Sequence, residues 1–329
     1  MFVANEAIAA TVSAAEAFDV SVVVPLHNKA RFIIRTLDTV LDQSLPPREV
    51  IIVDDGSTDG GAETVAARFG SAIKLVRQAN TGPGPARNRG MAEARGAWIA
   101  LIDGDDRWRP DHLATLAGVA RAFPTADVLA TGYRRVAADR AEHNATPSFR
   151  AAAAEVRLLD LFATPTAQSP LCSSAIALRR GIEAGGNGFG AFWPGEDFEY
   201  WARLALDHDI AFTTHVTTTY LQETDGLMEQ HERAGGGGGE LQGIFATLDA
   251  ALVNPAYAAR HPAICAYRIA LLRQNMRQAL FRCAPRDARR FAAELRARGA
   301  TPDVLANFLS RCPTAMLRAG KRIRAVIAR

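Results

Sequence analysis

The stretch from Glu49 to Asp59, EVIIVDDGSTD, decides the fold of this chain. Residues 50–53 are all β-branched and apolar, which is typical of a strand buried on both faces of a parallel sheet. A turn rich in Asp, Gly and Ser follows at once, and a helix is predicted at about 61–69. A buried strand that leads directly into a helix predicts a βαβ unit.

The same alternation extends to both sides of this stretch. Further strands are predicted at 20–25, 73–77 and 98–102, and further helices at about 30–43 and 84–95. Strands that alternate with helices predict right-handed crossovers and a parallel sheet. In such a sheet, functional residues lie beyond the carboxyl ends of the strands, and the acidic turns after 53 and 102 both fall there.

Beyond residue 110 the pattern is less regular. We predict helices at 111–122, 154–163 and about 197–207, and strands at 127–131 and 174–178. Five consecutive glycines at 235–239 predict a flexible loop. Residues 240–329 are predicted to be helical, with one helix starting at Thr301-Pro302, where a capping hydroxyl precedes a proline.

The charge is unevenly divided along the 329 residues, although the net charge is only +3. Residues 240–329 hold 16 Lys and Arg against 5 Asp and Glu, whereas the preceding 239 residues hold 22 against 30. This asymmetry indicates a basic segment suited to an acidic partner. With 48% hydrophobic residues, the chain has enough apolar material for a core, which excludes intrinsic disorder as its main state.

The cellular compartment is predicted from what the sequence lacks. The four cysteines form no C-x-x-C pair, so neither a disulfide scaffold nor a zinc ribbon is expected. The first 18 residues carry Glu6 and Glu16 and no basic cluster, unlike a secretory signal. The longest uncharged stretch, 161–178, contains two prolines and is a poor membrane span. We therefore expect a cytoplasmic protein.

The turn Asp103-Gly104-Asp105-Asp106 is a candidate cation site. Three carboxylates within four residues repel one another, and hard divalent ions such as Mg or Mn favour oxygen ligands of this kind. The alternative is a solvated acidic turn. Asp54 and Asp55 likewise allow two interpretations, because Asp and Ser also cap helices.

Two other classes of nucleotide or phosphate-binding protein are disfavoured. A receiver domain places paired aspartates after its first strand, and its lysine partner is not evident here. The segment Thr81–Gly90 offers G-x-G, but Arg87 stands where a dinucleotide fingerprint needs its third glycine. A dehydrogenase is therefore not expected.

Three segments, residues 20–60, 80–90 and 96–113, together resemble the nucleotide-binding half of family-2 glycosyltransferases. Their order and spacing are specific, and they cover roughly residues 20–115. The resemblance implies a GT-A fold, an α/β architecture with a Rossmann-like, mostly parallel sheet flanked by helices. It also implies an inverting mechanism, a nucleotide-sugar donor (UDP-type) and a divalent metal, Mn or Mg.

Matching positions give the donor site. The resemblance implies that Pro25 and His27 line the base and ribose pocket, although the family often has Tyr or Asn at the position of His27. Asp55 would bind the base through its carboxylate, and Asp54 would support the turn. Arg87 would face the donor near its diphosphate.

The acidic turn matches the family's D-x-D-D form. By this match Asp103 is the first aspartate, Asp105 binds the ribose or sugar and contributes to the metal site, and Asp106 is the direct metal ligand. Gly104 replaces a commoner Ser or Ala, which is acceptable where the backbone must approach closely.

The base is implied by residues 193–204, WPGEDFEYWARL, which resemble the family's E-D motif at the start of a helix. By the motif Asp197 is the catalytic base and Glu196 a neighbour that binds acceptor or donor sugar. The alternative is that both acids only favour the helix dipole. Phe192 and Trp193 are candidates for stacking on a sugar ring or for burial in the core.

Two further segments extend the site towards its partners. His231 and Arg233 are candidates for contacts to the diphosphate, with a solvated loop as the alternative. The Q-x-x-R-W signature of processive synthases is absent, which favours transfer of a single sugar. Residues 313–329 predict a basic amphipathic helix for peripheral membrane contact, with packing on its own domain as the alternative. Nucleic-acid binding is not expected, because no recognition motif is present.

The sequence thus predicts a metal-dependent inverting glycosyltransferase acting on a glycan or lipid-linked acceptor, in surface polysaccharide or glycoconjugate synthesis. The alternative is a non-catalytic nucleotide-sugar-binding or adaptor protein on the same fold. The expected division is an N-terminal extension at 1–19, a catalytic domain at 20–234 with halves at 20–115 and 116–234, the glycine loop, and a basic helical region at 240–329.

Overall fold

The structure, a computed structural model, describes residues 18–136, 142–144, 155–164, 169–184, 187–221 and 242–312. The chain divides into two compact units. The first comprises Met1–Asp160 and Pro170–Thr224, and the second comprises Leu161–Ser169 and Asp225–Arg329. Residues 231, 233, 235–239 and 313–329, for which the sequence carries predictions, lie outside the described residues.

The first unit begins with four parallel strands and three helices between them. The strands are β1 (Val20–Leu26), β2 (Glu49–Asp55), β3 (Lys74–Gln78) and β4 (Trp98–Leu101), and the helices are α1 (Ile33–Leu41), α2 (Gly61–Phe69) and α3 (Pro83–Glu93). Their order in the sheet is β3-β2-β1-β4. Val22, Val23 and Val24 of β1 are all fully buried, so both faces of the strand are covered by helices and sheet neighbours.

The sheet continues with strands that come later in the chain. These elements are β5 (Arg107–Trp108), α4 (His112–Ala122), β6 (Val128–Val136), β7 (Glu142–Asn144), β8 (Val156–Leu158), β9 (Ile176–Arg179), α5 (Glu196–Asp207) and β10 (Ile210–Leu221). The order β4-β9-β6-β10-β5 completes the main path, with β7 on β6 and β8 on β10. Strand β9 runs antiparallel to both β4 and β6, whereas β10 runs parallel to β6.

Two predictions for this half of the sheet need correction. The helix predicted at 154–163 is wrong, because residues 156–158 form β8, which pairs antiparallel with β10. The long strand β10 was not anticipated. In both cases pairing with neighbouring strands outweighs the local preference of the residues for helix or strand, which is a weak guide in polar segments.

The second unit is helical over its described residues from 242 onward. It contains α6 (Gln242–Val253), a 3₁₀ turn (Pro255–Arg260), α7 (His261–Phe281), α8 (Pro285–Ala297) and α9 (Val304–Leu309). Its apolar core includes Leu272, Met276, Phe291 and Leu295. The predicted helix start at Thr301-Pro302 is wrong: α9 begins at Val304, and the Asp303 carboxylate caps it by accepting from the backbone N–H of Ala306 at 3.1 Å.

These elements confirm the predicted fold class, an α/β fold with a largely parallel sheet flanked by helices and with helices at the C-terminus. The predicted elements between residues 20 and 122 all occur within a few residues of their expected bounds. The short strand β5 also lies in this range and was not predicted. Across the described ranges, none of the helices combines the length and the apolar character that crossing a membrane demands.

Candidate functional site

The loops after β1 and β2 meet at the carboxyl edge of the sheet. The ring of His27 donates from Nδ1 to the backbone oxygen of Asp55 at 2.8 Å, and its Nε2 lies 3.2 Å from Nδ2 of Asn80. This pattern fits the neutral tautomer with its proton on Nδ1. The Asp54 carboxylate accepts from the backbone N–H of Ser57 at 2.9 Å and so closes the turn after β2.

The carboxylate of Asp55 organises the loop that leads from β3 into α3. It accepts from Nε2 of Gln78 at 2.9 Å, from the backbone N–H of Thr81 at 2.9 Å and from that of Gly82 at 2.8 Å. The side chain is almost fully buried. Because both oxygens accept from this loop, Asp55 fixes the path of residues 78–82 beside His27.

The acidic turn after β4 forms a second cluster. Asp105 forms an ion pair with Lys29, and Asp103 accepts from Nη2 of Arg87 at 2.7 Å. The side chains of Asp103 and Asp105 keep 24% and 16% of their surface exposed. Both carboxylates are therefore paired with cations and still accessible.

The third carboxylate of the turn is buried. One oxygen of Asp106 accepts from the hydroxyl of Ser174, and the other accepts from the backbone N–H of Leu221 at 2.9 Å. Burial raises the pKa of Asp106 well above its usual value, and the two neighbouring carboxylates of the turn raise it further. Asp106, the predicted direct metal ligand, has no exposed surface and joins the turn to the segments before β9 and at the end of β10.

The turn is also held from α1 and β1. Thr36 Oγ1 donates to the backbone oxygens of Asp106 at 2.8 Å and of Gly104 at 3.1 Å. A Cβ atom added at Gly104 would lie 3.1 Å from the backbone oxygen of Pro25. This close approach is the physical reason for a small residue at position 104.

Whether these residues suit a divalent metal depends on their donor set. Within the described parts of the chain, no three His, Cys, Asp or Glu side chains converge as a complete metal site. Mg²⁺ in phosphate-transfer sites is commonly held by only one or two carboxylates together with substrate phosphates and water. Asp103 and Asp105, which are adjacent and accessible, fit that kind of site.

Arg87 connects this turn to the start of α5. Its Nη2 donates to Asp103 and its Nη1 donates to Oε1 of Glu196 at 3.0 Å. The guanidinium carbon also lies 5.2 Å from the ring centroid of Phe189. Burial by itself lowers the pKa of Arg87, but the charges of the two carboxylates outweigh it and hold that pKa above its usual value.

Glu196 and Asp197 occupy the first turn of α5. Burial raises the pKa of Glu196 to about 7, against the opposing charge of Arg87. Burial also raises the pKa of Asp197, although Arg87 and the backbone N–H of Phe198, which donates at 2.8 Å, favour its ionised form. The pair is therefore poised to exchange a proton at a higher pH than ordinary carboxyl groups.

The loop before α5 is anchored on α3. Asn88 and Phe189 exchange two hydrogen bonds, with the Asn88 side chain donating to the Phe189 carbonyl at 2.8 Å and accepting from the Phe189 N–H at 2.7 Å. Phe192 and Trp193, which follow in this loop, are 37% and 36% exposed. Their rings thus present surface near the first turn of α5, as a sugar-stacking role requires.

Several site residues were missed from the sequence. Lys29 lies three residues beyond the end of β1, and because β1 and β4 are parallel neighbours, a cation there was a candidate partner for the turn after β4. Ser174 reaches Asp106 only because β9 runs antiparallel to β4, with Ile176 beside Leu101. That reversal leaves no signal in the sequence.

A group of aromatic and polar side chains lies behind the acidic turn. The guanidinium carbon of Arg135 is 6.0 and 5.9 Å from the rings of Tyr133 and Tyr220. Burial raises the pKa of Cys172 well above its usual value, and the nearby charges of the acidic turn raise it further. Nothing in the sequence pattern singled out these four residues.

Comparison with known proteins identifies a family that this chain resembles. Residues 21–181 match a family model described as glycosyl transferase family 2. The succinoglycan biosynthesis protein ExoO of Rhizobium meliloti (strain 1021) is 41% identical over 118 residues, which are 34% of each chain. The matched part of this chain thus spans about a third of the length of the curated relatives that it resembles.

Solved structures share the fold. S. aureus TarS 1–349 in complex with UDP superposes with a TM-score of 0.54 at 19% identity, covering 85% of this chain and 92% of that one. The mannosyltransferase PcManGT from Pyrobaculum calidifontis in complex with GDP-Man and Mn²⁺ has a TM-score of 0.56 at 23% identity, covering 94% and 86%. At these identities the likeness establishes the fold alone.

Proposed function

We propose that this chain, whose residues 21–181 match the model of glycosyl transferase family 2, transfers a single sugar from a UDP-type nucleotide-sugar donor to a glycan or lipid-linked acceptor. The product would serve surface polysaccharide or glycoconjugate synthesis. The UDP complex of S. aureus TarS and the name of the succinoglycan relative support the donor class and the process. We propose residues 20–234 as the catalytic domain and residues 240–329 as its basic helical region.

The position of Asp197 is the observation that carries this proposal. Asp197 lies in the first turn of α5, next to Glu196, and the charges of Arg87 and Asp103 act on the pKa of its carboxyl group. As the acceptor oxygen attacks the anomeric carbon, Asp197 would take the hydroxyl proton. The bond from the anomeric carbon to the diphosphate oxygen breaks, its electron pair leaves with the nucleoside diphosphate, and attack from the opposite side inverts the configuration.

The donor would lie along the carboxyl edge of the sheet. His27 and Asn80, held by the fixed loop 78–82, would line the nucleoside, with Pro25 beside them. Both terminal nitrogens of Arg87 bind carboxylates, Asp103 and Glu196, so Arg87 would act by keeping these two groups in place next to the donor. Glu196 would orient the sugar through its second oxygen.

We assign the divalent metal, Mn or Mg, to Asp105 together with Asp103. When bound there, the ion would supply positive charge that stabilises the departing diphosphate. Asp106 would hold the turn through Ser174 and Leu221. Residues 313–329 remain a proposed peripheral membrane contact.

The proposal is tested by comparing wild type with Asp197→Asn. With Mn²⁺ and a panel of UDP- and GDP-sugars, wild type should release nucleoside diphosphate, and Asp197→Asn should lower kcat by about 10²–10⁴-fold. Calorimetry should show UDP binding unchanged, because the substitution removes the base and not the donor pocket. Asp209→Asn, an exposed carboxylate just beyond α5, is the matched control and should keep wild-type kcat.

Two outcomes would contradict the proposal. A wild-type protein that binds nucleotide but turns over no donor with any glycan or lipid-linked acceptor would be a binding protein on a transferase fold. Equal kcat values for wild type and Asp197→Asn would show that Asp197 is not the catalytic base.

A further inference from the structure

The second unit exposes three large apolar side chains on α9. Val304 is 81% exposed, Leu305 45% and Phe308 66%, and their spacing places them on one face of the helix. The other apolar side chains of the helix, Ala306 and Leu309, are buried in the core of the unit. We call the three exposed residues the α9 patch.

Three arginine side chains from α7 and α8 lie next to the segment that carries the α9 patch. They reach the segment that carries it through three hydrogen bonds, from Arg273 to the Thr301 carbonyl at 3.2 Å, from Arg289 to the Ser310 carbonyl at 2.6 Å and from Arg296 to the Asn307 side-chain oxygen at 2.6 Å. These acceptors are neutral, so the contacts leave three positive charges in place, and the one carboxylate of the segment, Asp303, lies 3.8 Å from Nη1 of a fourth arginine, Arg277. The patch is therefore an apolar centre with a cationic rim.

We propose that the α9 patch docks on the surface of an anionic lipid bilayer. Apolar side chains of this size enter the boundary between headgroups and acyl chains, while arginines around them attract anionic headgroups, each contributing about 1 kcal/mol near the surface. The excess of 16 basic over 5 acidic residues in 240–329 provides the same attraction over a longer range.

Charge decides against the other occupants. Residues 313–329 hold five Lys and Arg and no Asp or Glu, so their sequence offers no charge that complements the arginines. A second copy of the chain would bring the same cationic rim to the interface. A nucleic acid would satisfy the arginines but leave the three apolar side chains in water. A bilayer satisfies both parts of the surface.

Vesicle sedimentation of the full chain, without donor or metal, tests this proposal separately from transferase activity. Wild type should pellet with vesicles of phosphatidylcholine and phosphatidylglycerol and much less with phosphatidylcholine alone. Phe308→Ser should lower the partition coefficient by about tenfold, because one large apolar side chain no longer enters the lipid. Val253→Ser, at an 82% exposed position at the end of α6, is the matched control and should bind like wild type.

A gain of signal provides the second measurement. In the variant Phe308→Trp, the new indole should be quenched by brominated lipid in the anionic vesicles, whereas Val253→Trp should show no added quenching over wild type. The proposal is overturned if Phe308→Ser binds vesicles like wild type, or if neutral and anionic vesicles bind equally. It is also overturned if light scattering shows a dimer that Phe308→Ser dissociates, or if RNA protects the patch and vesicles do not.

Discussion

Nη1 of Arg87 lies 3.0 Å from Oε1 of Glu196, joining two residues that are 109 positions apart. The same guanidinium binds Asp103 at 2.7 Å through its other terminal nitrogen. One buried cation therefore ties the turn after β4 to the helix that carries the proposed base. Three groups that the sequence placed in separate motifs form one electrostatic unit.

Arg87→Met should destabilise the protein and impair transfer together. Removing the cation leaves the buried Glu196 carboxylate and the partly exposed Asp103 carboxylate unpaired, and breaking such a buried pair costs about 3–5 kcal/mol of unfolding free energy. It should also lower kcat/KM, because Glu196 loses the contact that orients it. Thermal unfolding and initial rates measure the two effects.

Arg89→Met is the matched control, because Arg89 is half exposed and pairs with Glu93 on the surface of α3. Such surface pairs contribute about 0–1 kcal/mol. Equal melting temperatures for the two variants would show that the ion pairs of Arg87 do not stabilise the fold.

Transfer should increase with pH over a range higher than ordinary carboxyl groups would give. The pKa of Glu196 is raised to about 7 and that of Asp197 is also raised, and the base works only when ionised. Glu196→Gln removes a neighbouring negative charge, so the rising limb of kcat/KM should move to lower pH. If the rising limb of kcat/KM does not move, the Glu196 carboxyl group does not contribute to this pH dependence.

The raised pKa of Glu196 also makes the stability of the folded protein depend on pH. The folded state binds the Glu196 proton more tightly than the unfolded chain, in which the pKa is near 4.5. The contribution to stability is therefore largest below pH 4.5 and falls as pH rises to about 7. Chemical denaturation should show this fall in wild type and a flatter profile in Glu196→Gln.

The first hundred residues of the fold were predictable, and the later strands were not. Strands β1, β2 and β4 carry runs of apolar residues and β3 keeps a shorter one at Leu75 and Val76, so the local pattern finds them. In β10 most threonines are buried, and their hydroxyls find partners inside the sheet: Thr217 donates to Thr131 at 2.8 Å and lies 2.7 Å from Nδ1 of His112. Burial lowers the pKa of His112 to about 3 and keeps it neutral. A polar strand of this kind carries no apolar signal.

The site was predictable where it follows the parallel strands. Asp103, Asp105, Asp54 and Asp55 lie at strand ends, as topology requires. That Asp106 is fully buried, and that Ser174 binds it, depends on the reversed strand β9, which only the assembled sheet shows.

Ser174→Ala should disturb the acidic turn without removing any proposed catalytic group. The Ser174 hydroxyl donates to Asp106 and accepts from the backbone N–H of Asp103 at 2.9 Å, so its loss frees both ends of the turn. We expect KM for the donor to rise by about tenfold with a smaller change in kcat.

Ser174→Thr should restore much of the affinity, because it returns the hydroxyl. Ser173→Ala, at the neighbouring buried position, is the matched control. An equal rise in KM for Ser173→Ala would indicate general loosening of the segment and not the loss of this one hydroxyl.

Metal binding should separate Asp105 from Asp106. With UDP present, Mn²⁺ should raise the melting temperature of wild type, because a ligand that binds only the folded state stabilises it. Asp105→Asn should abolish this increment, and chelation by EDTA should reverse it in wild type. Asp106→Asn should lower the melting temperature of the free protein and keep the increment from Mn²⁺. If Asp106→Asn loses the increment and Asp105→Asn keeps it, Asp106 is the metal ligand.

The loop held by Asp55 has a consequence for how a nucleotide is recognised. Ordering the backbone of a flexible residue requires about 1–2 kcal/mol of conformational entropy at room temperature. Here three hydrogen bonds to one carboxylate already fix residues 78–82. A nucleotide entering beside His27 would meet a surface that is rigid in advance, so little of its binding energy would go into shaping the protein. Discrimination between bases would then come from fit alone.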